Sequence, residues 1–229
     1  MSRRFCPPLR SRCWRARLGM LATCLACSMP AHADCPPFVR HNTSGDYTDP
    51  ADRERLTVIE TFHFTPVVAS LTRGASGSLG ADIGYTLEHF PNHTKALAAL
   101  VKLGRRDKTG QPYGARYTID CFFTRAVGFA PNDAALRMVY GGYLLGNDHA
   151  DEALVQLREA ARIAPDNATI DYNLGLLYVK RRDYPTARSY AWKAYRLGFP
   201  LPGLKKQLAA AGEWQDPPAP VPAAAASTE

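Results

Sequence analysis

His89 and His93 stand four residues apart, a spacing that places two imidazoles on one helical face and lets them share a metal ion. Pro91 lies between them and should end a helix there, so the pair is not preorganised. His41 and His63 occupy an N-terminal stretch with Asp46 and Asp49 nearby. They would make a metal site, a ligand site or an enzyme centre only if that stretch folded them together against the rest of the chain. Neither their spacing nor a cysteine pair asks for it. Gly74-Ala75-Ser76-Gly77-Ser78-Leu79-Gly80 has the composition of a phosphate cradle. The Lys-Ser/Thr that completes such a loop is missing and no convincing strand leads into it, so it reads as a turn between two helices. Ser76 and Ser78 have no G-x-S-x-G frame and no recognisable His-Asp partners. The sequence nominates no catalytic residue, no metal ligand and no cofactor, and it points to a protein that is not an enzyme.

An export leader precedes whatever would position a site. Arg3, Arg4, Arg10, Arg12, Arg15 and Arg17 form a basic lead, a short apolar run follows from Leu18 to Met29, and Ala31-His32-Ala33 supplies small residues for cleavage before Asp34. Residues 1–33 are therefore expected to be a signal peptide, and the apolar run is too short for a stable membrane span. Ser2-Arg3-Arg4 is a weak twin-arginine match, and Cys27 is a poor lipoprotein site because Cys24 takes its outermost position. The whole chain carries +7. Those six arginines, with no acidic residue among the first 33, leave +1 for the remainder, so nucleic-acid binding loses its support. Removing the leader also leaves two cysteines, Cys35 and Cys121. In an exported protein they are a plausible disulfide, which would pin the N-terminal arm to the rest; two separate buried thiols are the alternative.

Downstream, one pattern recurs every 34 residues. Pro131 and Pro165, Gly141 and Gly175, Ala153 and Ala187, and Ala160 and Ala194 are all so spaced, and Ala126 lies one period earlier. Helices are expected at 134–146, 149–163, 168–181 and 184–197, capped by Asp133, Asp148, Asn167 and Asp183. The small residues belong where paired helices cross closely. Looser helices are expected at 66–73, 82–90, 94–105 and 116–130, with a closing helix at 202–211 that shields the last hydrophobic face. Residues 56–64 alternate and are rich in β-branched types, which suggests a strand or an extended arm. The Pro/Ala-rich 212–229 reads as a disordered tail.

The 34-residue period with these small residues resembles the tetratricopeptide repeat (TPR) and suggests an exported bacterial member of that superfamily. The resemblance implies an all-α fold, a right-handed α-solenoid of about four helical hairpins. Its expected parts are an arm over 34–65, a solenoid over 66–211 with its clearest repeats at 134–167 and 168–201, and the tail. Its usual work is holding other proteins. Carried over by register, the family's concave groove falls on Lys95, Lys102 and Arg105, then Met138 and Leu145, then Tyr172, Leu176 and Lys180. The groove is basic at one end and apolar at the other, which suits an extended peptide with an acidic group and a hydrophobic side chain. Family members that clamp acidic chaperone tails place Lys and Asn where this chain has Met138, Gly142, Tyr172 and Leu176, so that specialisation is not expected. The reading is a non-catalytic adaptor, periplasmic or secreted, for a protein partner in the cell envelope. The alternatives are a ligand- or metal-binding protein or enzyme with its site between arm and solenoid, a self-associating subunit, and a groove filled by the arm itself.

Overall fold

The computed structural model describes residues 35–217; the leader expected over 1–33 and tail residues 218–229 lie outside the described residues. Three turns of one design set the register: Pro91-Asn92-His93, Pro131-Asn132-Asp133 and Pro165-Asp166-Asn167. The residue before each proline is kept out of the helical region by the proline ring, and Phe90, Ala130 and Ala164 share φ near −125° with ψ between 70° and 81°. Two residues after each proline comes a helix cap. His93 Nδ1 accepts from the Ala96 amide, Asp133 from Leu136, and Asn167 from Thr169 and Ile170. One helix thus ends and the next begins within four residues.

The resulting order is α1 (Arg53–His63), α2 (Pro66–Ala69), α3 (Leu79–His89), α4 (Thr94–Asp107), α5 (Ile119–Phe129), α6 (Ala134–Gly146), α7 (Ala150–Ile163), α8 (Ala168–Lys180), α9 (Tyr184–Arg196) and α10 (Gly203–Ala210). A single 3₁₀ turn, Pro50–Asp52, precedes α1. Among the described residues all regular structure is helical. Helices pack as the hairpins α1/α3, α4/α5, α6/α7 and α8/α9, with α10 against both members of the last. The chain is an all-α solenoid. One core runs from Phe64 to Leu208, and a small satellite of Leu56, Ile59 and Phe90 sits beneath α1.

The hairpins close on small residues. A Cβ on Gly141 would stand 2.6 Å from Leu157 Cγ and 3.4 Å from the Ala153 carbonyl. One on Gly175 would meet Leu204 of α10 and stand 3.4 Å from the Ala187 carbonyl. Ala153, Ala160, Ala187 and Ala194 are fully buried. In the earlier hairpin Gly104 takes this part, facing Ile119. The front-to-back turns share a second feature. Lys108, Asp148 and Arg182 follow α4, α6 and α8 in the left-handed region, with φ of 53°, 66° and 59°. That conformation costs a side-chain-bearing residue roughly 1–2 kcal/mol.

The structure differs from the sequence reading at four places. Residues 53–63 form a helix, not a strand, because Leu56 and Ile59 share one face that buries beneath Phe90 while Val58 and Phe62 face outward. Burial outweighs the small helix penalty of β-branched residues. Helix α2 is one turn and stops at Leu71, whose φ is 57°. Asp148 does not cap α7: it sits in the left-handed turn and pairs with Lys180, and His149 takes the cap position without a side-chain bond. Part of the segment read as tail is held in place, since Arg188 donates to the Glu213 carbonyl and Trp192 Nε1 to that of Gln215.

Cys35 and Cys121 are joined, with Cα atoms 5.4 Å apart. On the chain-entropy account, closing a loop this long stabilises the fold by about 4–5 kcal/mol. Beside the bond, Phe38 packs edge-on against Phe129 at 5.1 Å, and Arg125 donates to the carbonyls of Pro36 and Pro37. The arm then reaches the α3–α4 turn, where the Gly45 amide donates to the His89 carbonyl and that of Tyr47 to Asn92 Oδ1.

Two substitutions separate the crossing from the turn. Gly175→Leu forces α8, α9 and α10 apart and should lower stability by about 2 kcal/mol or more. Arg182→Gly relieves the left-handed turn and should raise it by up to about 1 kcal/mol. Thermal melting of both against wild type checks the pair, and a Gly175→Leu chain that melts like wild type would mean the helices do not meet there.

Candidate functional site

The front helices α4, α6 and α8 lie side by side, so their outward residues form one surface. Lys95, Lys102 and Arg105 on α4 are exposed. Lys95 and Lys102 are two helical turns apart and make no ion pair among the described residues. The Arg105 guanidinium lies where a side chain on Gly146 would point, which bridges α4 to the end of α6. Met138 and Leu145 on α6 and Leu176 on α8 are half-buried and packed against the core. Lys180 is tied down: its Nζ donates to the Leu145 carbonyl at 3.3 Å and pairs with Asp148 at 2.5 Å.

Tyr172 does not line an open surface. It is 9% exposed, its ring stacks on Phe199 at 4.1 Å, and its hydroxyl lies against Gly203. Register places it on the front helix correctly, but the chain after α9 folds back over that end, and no register predicts a closing segment's path. The arm takes a different course from the one that would fill the groove. Its contacts are with Cys121, Arg125 and Phe129, which share one face of the back helix α5, and with the α3–α4 turn.

The polar residues of the first hairpin form two clusters that the sequence did not disclose. The glycine-rich loop does cradle an anion, and the anion is Asp82 of the following helix. Its buried carboxylate accepts from the amides of Ala75, Ser76 and Gly77, from the Ser76 hydroxyl, and lies 3.2 Å from His63 Nδ1. Burial pushes this carboxyl up, but the Ser76, Ala75 and His63 contacts outweigh it and hold it below its ordinary range. The trio Ser76, His63 and Asp82 is no hydrolase relay. Both Ser76 Oγ, at 3.1 Å, and Asp82 approach the same His63 nitrogen, and the serine also bonds the carboxylate directly. A relay needs its base to divide its two nitrogens between nucleophile and acid.

In the second cluster His93 is fully buried between Tyr47, stacked at 4.1 Å, and Phe64. Its Nδ1 caps α4, so the proton belongs on Nε2, which donates to Glu60 at 3.1 Å. Beside it Asn92, also fully buried, donates to Asp46 at 2.7 Å and to Asp133 at 3.2 Å. His41, Asp49 and His63 do not join Asp46 at one point: His41 is exposed, Asp49 caps the 3₁₀ turn, and His63 serves Asp82. Among the described residues, no three His, Cys, Asp or Glu side chains are grouped to hold a metal ion. The hydrogen bonds that hold both clusters are made within the chain itself.

No family model matches the chain, and no curated protein matches it. Among solved structures, the chain is similar to one described as the functional characterization of Pseudomonas aeruginosa pilF. The two share 20% identity over 69% of this chain and 68% of that chain, with a TM-score of 0.48.

Burial drives the His93 pKa down to about 4, against the opposing pull of Glu60. A histidine depressed on folding binds its proton in the unfolded chain first. Its stabilising share is therefore complete above about pH 6.5 and is lost as pH falls from there toward 4, by on the order of 3 kcal/mol. Asn at position 93 can keep the cap, as Asn167 does, without titrating. Urea unfolding at several pH values should show a slope in this window for wild type and a much flatter one for His93→Asn. What the hairpins, their shared turns and their small-residue crossings establish is an all-α solenoid of helical hairpins.

Proposed function

We propose that the chain is a non-catalytic scaffold, exported to the periplasm or beyond, that holds an extended segment of an envelope partner along its front helices. The observation that carries this reading is the pairing of two surfaces. Lys95 and Lys102 are exposed and unpaired among the described residues, and half-buried Met138, Leu145 and Leu176 lie on the neighbouring helices. The arm, which could have covered them, packs on α5 instead. Such a face suits a peptide with an acidic group opposite the lysines and an apolar side chain opposite Met138. An extracytoplasmic setting is supported by the Cys35–Cys121 bond, since disulfides persist in oxidising compartments. No helix of the described residues is long and apolar enough to cross a membrane.

The test compares wild type with a Lys95→Glu/Lys102→Glu variant for capture of envelope proteins after cross-linking. Both substitutions are on exposed positions and should leave the melting temperature unchanged. A true groove partner should be recovered at least tenfold less well by the variant, a loss of about 1.4 kcal/mol. Equal recovery of every partner by both proteins would overturn the reading.

A further inference from the structure

Five acidic or basic side chains are buried among the described residues: Asp52, Asp82, His93, Asp171 and Arg125. Four of them face a partner of opposite type. Asp52 pairs with Arg40 and Arg55, Asp82 with His63, His93 with Glu60, and Asp171 with Lys193. Arg125 is the fifth, 9% exposed, and no acidic side chain pairs with it among the described residues. An arginine carries a permanent positive charge, and taking that charge out of water with no opposite charge beside it is costly.

Its surroundings use only part of the guanidinium. Nη1 donates to the Pro36 carbonyl at 2.6 Å and to that of Pro37 at 3.2 Å. The group also lies over the Tyr117 ring at 4.5 Å and the Phe38 ring at 5.6 Å, contacts that favour a cation without neutralising it. Nε is buried with no partner. Nη2 makes no hydrogen bond among the described residues either, and it is not enclosed as Nε is. Arg125 lines a pocket of about 570 Å³, so the Nη2 donors are the ones a ligand can reach.

The pocket is built where the arm crosses α5. The helix contributes Arg125, Gly128 and Phe129 from one face, and the disulfide sets Pro36, Pro37 and Phe38 opposite them. Arg40 is a second cation in the lining, 59% exposed, and its contact with Asp52 is a long 3.5 Å. Asp52 is already served by Arg55 and by the Asp46 amide. No acidic side chain lines the pocket. A Cβ on Gly128 would meet nothing within 4 Å, so the floor beside the guanidinium is open.

We infer that this pocket binds a carboxylate carried on an apolar group. Arg125 Nη2 and Arg40 hold the carboxylate, and the apolar part lies against Phe38, Phe129 and the two prolines. That chemistry is shared by a free aromatic acid and by the C-terminus of a polypeptide that ends in an aromatic residue. The site is on a back helix, so it stands or falls independently of the proposed groove on the front helices.

The test titrates 3-phenylpropionate, its neutral amide and inorganic phosphate into the oxidised protein at one ionic strength, following the Gly128 amide and Arg125 Nε–H resonances. The carboxylate should bind saturably and about tenfold more tightly than either the amide or phosphate. Acetyl-Gly-Gly-Phe with a free C-terminus separates the two sources: tighter binding than 3-phenylpropionate identifies a polypeptide end, weaker binding a free acid. Arg125→Gln and Arg40→Gln should each cut the preference for acid over amide to about twofold, which a loosened arm alone would not do. Gly128→Leu fills the floor and should abolish binding without lowering the melting temperature. If Arg125→Gln fails to fold, Arg40→Gln and Gly128→Leu still decide the matter. Equal binding of acid and amide, equal binding of phosphate, or full affinity in Gly128→Leu would overturn the inference. So would binding that appears only in Asp34→Asn, because the carboxylate next to Cys35 in the sequence would then be the arginine's own partner.

Discussion

Two helix backbones can approach only as closely as the side chains between them allow, and that limit organises this molecule from Gly104 onward. Where α6 crosses α7, Gly141 faces the Ala153 carbonyl and Leu157 fills the wedge beside them. Where α8 crosses α9, Gly175 admits Leu204 from the closing helix as well, so one missing Cβ serves three helices. Close crossings leave the space on either side to large side chains, and the aromatic residues collect there. Phe123 stacks on Tyr140, Tyr178 on Tyr190 and Tyr172 on Phe199. The front surface is what remains after that packing is satisfied.

At the other end a different logic holds. The first hairpin is joined by a loop that cannot bury apolar surface, and its order comes from hydrogen bonds: Asp82 fills the loop, His93 and Asn92 tie α4 to the arm, and buried Asp52 accepts from the Asp46 amide. Buried polar groups are costly when unpaired and specific when paired. The solenoid is therefore apolar in the middle, where repeats stack, and polar where a non-repeat segment must find one position among many.

The later hairpins were legible in the sequence because period, caps and small residues agreed there. Pro131 and Pro165, with Asp133 and Asn167 after them, fixed their boundaries to within a residue or two. The earlier hairpins were blurred by one physical event, a longer connection between α4 and α5. It stretches the interval from Pro91 to Pro131 to 40 residues, although both turns have the same geometry. Helix α1 was hidden by its β-branched composition, and only the burial of Leu56 and Ile59 decides it. The position of Tyr172 on its helix was readable, but its covering by Phe199 was not, because repeats describe neighbours in register and say nothing about how the array ends. Asp82 was overlooked because an acid in the first turn of a helix already has a reason to be there.

The disulfide has one consequence that concerns force and not stability. Cys121 belongs to the first turn of α5, and Cys35 is bonded directly to it. A pull on the chain from its N-terminal side therefore passes through the sulfur atoms into α5 and bypasses everything between. The arm, α1, the loop around Asp82 and α4 hang on a covalent ring that bears no tension. Load falls only on α5 through α10, the part built from repeats, which can give way one hairpin at a time. A protein strung between two attachment points in this way would keep its polar, uniquely folded corner intact while its repeats stretched.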